Sequence, residues 1–158
     1  FLLHGSLKRF LTAIDAAIGG TSGILIQFPL YFGIMGIMSG TGLVEALSMA
    51  MVRLATPETF ELWTVLSAGI VNVFVPSGGG QWAVQGPLLI RAALDLGVPL
   101  DRTILAMAYG DELTNMLQPF WALPLLGITG LAAKDILPYT VRFLAVGLAT
   151  CLILTVLF

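Results

Sequence analysis

The chain has 158 residues, 58% of them apolar and 10% charged, with a formal net charge of −2 and a mean hydropathy of +0.98. A soluble domain is about half apolar and a quarter charged, so this composition leaves too few charges to clothe a water-soluble globule, and it is the reverse of what disorder requires. No basic cluster tracks a phosphate backbone, which excludes nucleic acid as a partner, and the lone Cys151 supports neither a disulfide framework nor a thiolate metal site. The chain opens on Phe1 with no short charged-then-apolar leader and reads as a piece of a longer membrane protein.

Residues 6–18 place Leu7, Phe10, Leu11, Ile14 and Ile18 on one helical face, the pattern of a helix lying along a membrane interface. Gly19 and Gly20 are expected to end it. Residues 21–38 follow without a charge and form a first candidate span, with Pro29 expected to kink or unwind its middle. Ser39 to Gly42 reads as a loop, and residues 43–54 repeat the interfacial pattern through Leu43, Leu47, Met51 and Leu54. In Thr56-Pro57-Glu58, Thr56 is the expected N-cap of the next helix, with Pro57 at its first position.

The stretch from Leu62 to Ile90 carries no charge, yet Pro76-Ser77-Gly78-Gly79-Gly80 interrupts it near the centre. Such a run is expected to break the helix and form a tip between two arms. Each arm, Leu62 to Val75 and Gln81 to Leu94, is about 21 Å long, short of a hydrocarbon core of about 30 Å. Residues 58–96 are therefore expected to form a re-entrant hairpin with its tip at membrane depth.

Gly97-Val98-Pro99 reads as a turn, with Asp101 as the cap of the next helix. Residues 101–133 form a second apolar passage, expected to be broken over Gly110 to Asn115 and again at Pro119 and Pro124. Lys134 and Asp135 mark a surface loop, and residues 136–158 read as a plain span whose Arg142 lies near enough to one end to snorkel. The expected fold class is all-α: a polytopic membrane protein fragment with interfacial amphipathic helices, a re-entrant helical hairpin and a discontinuous transmembrane helix.

Irregular backbone at membrane depth is tolerated only where it is buried in protein or lines a cavity, so the two breaks are the candidate site. At the first, one arm directs helix C-terminal carbonyls and the other N-terminal N–H groups toward the tip. Ser77, Gly78, Gly79, Gly80 and Gln81 are the candidate substrate contacts there. At the second, Asp111, Thr114 and Asn115 share a helical face and offer a carboxylate, a hydroxyl and an amide to one hard cation. No Lys or Arg lies within eight residues of Asp111 to mark an aqueous interface, whereas Glu112 points a quarter turn away, toward water or a helix partner. The N-terminus of the second arm is the expected anion seat, with Thr114 and Asn115 adding contacts. The expected ion-coupling residues are Asp111, Asn115 and Ser77, with Na⁺ or H⁺ between the tip carbonyls and Asp111; no resident cofactor is expected.

Two other readings stay open. Tyr109-Gly110-Asp111 is near the motif of intramembrane aspartyl proteases, and Gly20-Thr21-Ser22-Gly23 matches that of rhomboid proteases, which would make the chain a hydrolase using Asp111 or Ser22. Such a hydrolase lacks a second intramembrane Asp, and its one histidine, His4, sits at the chain edge. A non-catalytic scaffold or channel subunit is the other. Trp82 and Trp121 lie beside the two breaks as candidate pocket walls, while Asn72 and Gln118 are read chiefly as hydrogen bonds between helices.

The segments Phe74-Val75-Pro76-Ser77-Gly78-Gly79-Gly80-Gln81-Trp82, Tyr109-Gly110-Asp111, Thr114-Asn115 and Gln118-Pro119-Phe120-Trp121-Ala122-Leu123-Pro124 resemble the C-terminal part of the bacterial short-chain fatty acid transporter family, and the likeness runs through most of the chain, including His4-Gly5-Ser6 and Gln27-Phe28-Pro29. The resemblance implies uptake of small monocarboxylates such as butyrate or acetoacetate by a multi-pass protein of the bacterial inner membrane; the expected mechanism is then ion-coupled symport, with the substrate carboxylate in the anion seat of the second arm. It also implies kinship with the ion-transporter group built from two inverted repeats, this chain being the second repeat and its partners the lipid bilayer, the N-terminal repeat of the same chain and, as a candidate, a second copy. That group's usual Ser-Asn-Thr hairpin tip is absent here.

Overall fold

The computed structural model describes residues 2–157, apart from the side chains at positions 20, 22, 24, 119, 120, 156 and 157. Among the described residues the regular structure is entirely helical. The α-helices are α1 (Leu7–Gly40), α2 (Leu43–Val52), α3 (Phe60–Phe74), α4 (Gly78–Leu96), α5 (Leu100–Thr114), α6 (Leu123–Thr129) and α7 (Ala133–Leu157), with short 3₁₀ turns at Leu2–His4, Asn115–Leu117 and Pro119–Ala122.

The expected interfacial helix and first span are one helix. α1 starts where Ser6, in extended conformation, accepts a hydrogen bond from the Arg9 N–H, and it runs through Gly19, Gly20 and Pro29 to Gly40. Two glycines cost a helix interior only about 1 kcal/mol each, and no turn residue follows them to redirect the chain. The turn comes at Gly42, whose φ of 73° lies in the left-handed region that glycine adopts without strain. There α2 leaves the segment Leu25–Gly40 at 61°, and among the described residues the two together are long and apolar enough to cross a membrane. α2 also turns a different face inward from the expected one, with Val44 and Ser48 buried while Leu43 is exposed.

α3 begins later than expected. Thr56 opens a turn instead of capping the helix: its N–H donates to Thr59 Oγ1 at 2.9 Å, and the helix starts at Phe60. By hydrogen bonding, the Thr56 side chain also holds the Glu58 carboxyl below its ordinary value. α4 ends at Gly97, φ 71°, where the Val98 N–H reaches back to Ala93 O at 2.8 Å and buries the Val98 side chain; this is the Schellman closure that the Gly97-Val98-Pro99 turn predicts. α5 then starts at Leu100, so Asp101 sits inside its first turn and caps nothing.

The scaffold is three helices side by side. α3 packs most extensively on α5, and the two run parallel: Arg102 Nη1 meets Glu61 Oε1 at 3.2 Å near their starts, and Asn72 meets Asp111 and Thr114 near their ends. α4 returns antiparallel beside them. Phe60, Ala68, Leu89, Ala93, Val98 and Met107 form the core of this unit, and Met38, Val44, Val71 and Val75 form a second cluster joining α1, α2 and α3. The close approach of α3 and α5 rests on Gly69 and Gly110. A Cβ on Gly110 would lie 2.2 Å from Val65 O and 2.9 Å from Gly69 N, so the two backbones touch where no side chain intervenes.

α7, matching the expected last span, packs on α5 and on the Asn115–Leu117 turn and leaves most of its surface uncovered. Its segment Ala133–Thr155 is long and apolar enough to cross a membrane, and only 6% of its most apolar window is buried. Lys134 and Asp135, expected in a loop, belong to its first turn, where Asp135 Oδ2 accepts from the Ala132 N–H at 2.9 Å. Arg142 lies with its guanidinium 5.7 Å from the Tyr139 ring centroid.

Candidate functional site

Both breaks exist, each with boundaries set by local chemistry. The first is Val75-Pro76-Ser77, three residues in place of a five-residue tip. Ser77 is extended (φ −155°, ψ 102°) and accepts from the Gly80 N–H at 3.2 Å, so it is an N-cap and the three glycines form the first turn of α4. Glycine is poorly suited to a helix interior, but first-turn N–H groups have no intrahelical partner in any case, and a capping serine offsets part of the cost. Replacing Ser77 with Ala is expected to lower stability by about 1 kcal/mol, seen as a lower melting temperature of the full-length protein in detergent.

The second break falls later than expected. α5 stays helical through Gly110, Asp111, Leu113 and Thr114, then tightens into the 3₁₀ turn Asn115–Leu117, and Gln118 is extended. Pro119 supplies the reason, since it disfavours helical backbone in the residue before it. The carboxylate therefore rides on the last ordered turn of α5 and does not hang in an unwound loop.

Three helix ends meet at these breaks: the C-termini of α3 and α5 and the N-terminus of α4. Asn72, fully buried in the last turn of α3, joins them. Its Nδ2 lies 2.7 Å from Asp111 O, 2.9 Å from Thr114 Oγ1 and 2.9 Å from Asn115 Oδ1. Thr114 Oγ1 in turn donates to Gly110 O at 3.1 Å. Asp111 is 7% exposed, and a Cβ added to Gly78 would lie 3.2 Å from its Oδ2, which sets the carboxylate against the first turn of α4. That helix end carries partial positive charge and the other two carry partial negative charge.

Of the expected site residues, the structure brings Asp111, Thr114, Asn115, Ser77 and Gly78 to this junction. Gly79 faces open space on the outer side of the first turn. Gly80 is backed by Ser77 and by Met35 of α1. Gln81 turns away into the scaffold: fully buried, it donates to Ala68 O and Gln85 Oε1, both at 2.9 Å, and Gln85 Nε2 continues to Ser67 Oγ at 2.8 Å. Asn72 and Gln118, read chiefly as interhelical hydrogen bonds, make those bonds at the centre of the junction. Gln118 Nε2 donates to the carbonyls of Asn72 and Val73. The recurrence of Asn four residues before Pro in both breaks, Asn72–Pro76 and Asn115–Pro119, is the signal that could have paired them.

Three hollows open on the junction. One of about 190 Å³ is lined by Gly78, Trp82, Met107 and Asp111. Another of about 360 Å³ lies between Pro76, Glu112, Asn115, Gln118 and Trp121. The third, about 330 Å³, is faced by Phe28, Tyr31, Phe32, Met35, Ser77 and Trp121. Trp82 and Trp121 thus wall hollows beside the breaks, and Trp121 Nε1 donates to Asn115 O at 3.2 Å. Glu112 faces a different hollow from Asp111, as its position on the helix predicts. The arrangement offers two carboxylates on separate hollows, Asp111 and Glu112, with hydroxyl and amide groups and helix N–H groups beside apolar walls, a set suited to binding a small ion and a small amphiphile. Of the residues named for the hydrolase reading, Asp111 lies at this junction, His4 packs edge-on against Phe10 with centroids 5.7 Å apart, and the Ser22 side chain lies outside the described residues.

A family model described as short chain fatty acid transporter matches residues 1–158. A candidate short-chain fatty acid transporter of Escherichia coli (strain K12) is 44% identical over 143 residues, covering 90% of this chain and 32% of that protein. One of Haemophilus influenzae is 44% identical over 138 residues, covering 87% of this chain and 31% of that protein. The chain thus spans about a third of the length of these relatives. No solved structure gives a significant match. With a family model matched from end to end and two such relatives, the chain belongs to the short chain fatty acid transporter family.

Proposed function

We propose that this chain forms the substrate and ion junction of a secondary carrier that moves short-chain fatty acids across the bacterial cytoplasmic membrane by symport with Na⁺ or H⁺. The observation that carries the reading is the meeting of the α4 N-terminus with the buried Asp111 carboxylate and with Asn72 at the ends of α3 and α5. In this reading α3 and α4 enter and leave from one side as a re-entrant hairpin. Support comes from the charged residues Glu61, Arg91, Asp95 and Arg102, which lie toward the opposite ends of the helices from the breaks.

The substrate carboxylate sits at the first turn of α4, where the N–H groups of Gly78 and Gly79 have no intrahelical acceptor. Ser77, Gly80, Gln81, Thr114 and Asn115 shape or back that seat, and the apolar walls take the short alkyl tail. No Lys or Arg is at hand to hold the anion, so dipole and neutral donors do so, which suits a weakly bound, readily released solute. The ion rides at Asp111 and offsets the substrate's charge.

The test is uptake of labelled butyrate by the full-length protein in proteoliposomes, with Na⁺ and pH gradients imposed separately. One of the two gradients is expected to drive accumulation at least tenfold above equilibration. Uptake that merely equilibrates under both would overturn symport.

A further inference from the structure

Several helix-end carbonyls at the junction already have protein donors: Gln118 serves Asn72 O and Val73 O, Trp121 serves Asn115 O, and Asn72 serves Asp111 O. What lacks a partner is a set of buried side-chain oxygens: Asn72 Oδ1, Asp111 Oδ1, Gln118 Oε1 and Gln81 Oε1. Asn72 and Gln81 are 0% exposed, Asp111 7% and Gln118 8%.

The orientation of the Asn72 amide is fixed by its surroundings. Three oxygen acceptors surround its nitrogen, and exchanging nitrogen for oxygen would set the amide oxygen 2.7 Å from Asp111 O, a carbonyl that cannot donate in return. Gln118 is held likewise by two carbonyls and Gln81 by one. All three amides thus commit their nitrogens to the protein and leave their oxygens over. Buried acceptors without donors are costly, and what relieves them must bring positive charge or a donor, not another acceptor. One carboxylate with neutral amide oxygens, and no sulfur or imidazole, is a hard donor set of low charge; it matches a monovalent alkali cation better than a divalent one.

We infer that Asn72 is a ligand of the coupling cation, its Oδ1 and the Asp111 carboxylate forming the core of an Na⁺ seat made of side-chain oxygens in place of helix-end carbonyls. This rests on the ion-coupled reading above and assigns the ion and a ligand that the reading leaves open.

The test is thermal unfolding of the purified full-length protein as NaCl replaces choline chloride at constant ionic strength, with no carboxylate present. The wild-type protein is expected to melt higher as Na⁺ rises, since a ligand of the native state stabilises it by mass action. Asn72→Ala is expected to raise the half-saturating Na⁺ concentration at least tenfold. Leu89→Ala, a core truncation away from the junction, is expected to lower the melting temperature without moving that concentration. If Asn72→Ala cannot be purified, Asn72→Ser withdraws the amide oxygen but keeps a hydroxyl able to donate within the junction, and half-saturation should rise at least threefold.

An Asn72→Ala protein with wild-type half-saturation, or an Asn72→Ser protein with an unmoved one, would make the residue mere helix glue and overturn the inference. Butyrate accumulation driven by a pH gradient in a protein with no Na⁺ response would also overturn it while leaving symport standing. A Na⁺ response lost in Asn72→Ala, in a protein that no gradient drives to accumulate butyrate, upholds the seat and removes the symport reading.

Discussion

Replacing Asp111 with Asn is expected to abolish gradient-driven butyrate uptake, a fall of more than tenfold to the background of empty vesicles, with the protein still inserted and folded. Asn matches Asp in shape, so contacts with Gly78 and the α5 backbone survive, and the main-chain oxygen that Asn72 holds at 2.7 Å is untouched. What disappears is the ability to change or balance charge. A carboxylate at membrane depth costs about 2.5–3.5 kcal/mol on insertion scales, so losing it is expected to leave insertion unharmed. Vesicle uptake compared with size-exclusion profiles of the same preparation checks this; accumulation at wild-type level in Asp111→Asn would remove the residue from ion coupling.

The second large effect is structural. Gly110→Val is expected to prevent assembly, because even its Cβ would lie 2.2 Å from Val65 O, 2.8 Å from Ala68 Cβ and 2.9 Å from Gly69 N. Two of these are backbone atoms and cannot swing aside, so α3 and α5 must part. Overpacking alone typically costs about 1–3 kcal/mol; parting these helices also breaks the bonds from Asn72 to Asp111 and Thr114, which lie one turn on. Gly79→Ala is the contrast, since nothing lies within 4 Å of its Cβ position. It should melt within a degree or two of wild type. Yield and melting temperature of the two full-length variants decide it, and a monodisperse Gly110→Val protein of wild-type stability would show that the helices do not meet as described.

Local signals in the sequence were legible and pairings were not. Pro76 in a charge-free run, Gly97 before Val98-Pro99, and the common face of Asp111, Thr114 and Asn115 each act within a turn or two, and each marks a real feature of the chain. Gly19 and Gly20 misled because a glycine pair weakens a helix without ending it unless the next residues can turn. The three glycines after Ser77 misled in the opposite sense: their helix propensity is poor, but a capped first turn asks little of it. As a polar residue in an apolar run Asn72 predicts an interhelical bond, and it makes one, but its partners lie 39, 42 and 43 residues away and no periodicity within α3 discloses which they are.

The parallel pairing of α3 and α5 around a returning α4 also bears on biosynthesis. At about 5–20 residues per second, the ribosome delivers Gly110 some 2–8 s after Gly69. For that interval the amide of Asn72 has no Thr114 or Asn115 to meet and the notch at Gly69 is vacant. Nascent α3 and α4 are therefore an unfinished pair awaiting the third helix, and the same residues that later meet at the junction are the ones a quality-control protease or insertase would first encounter bare.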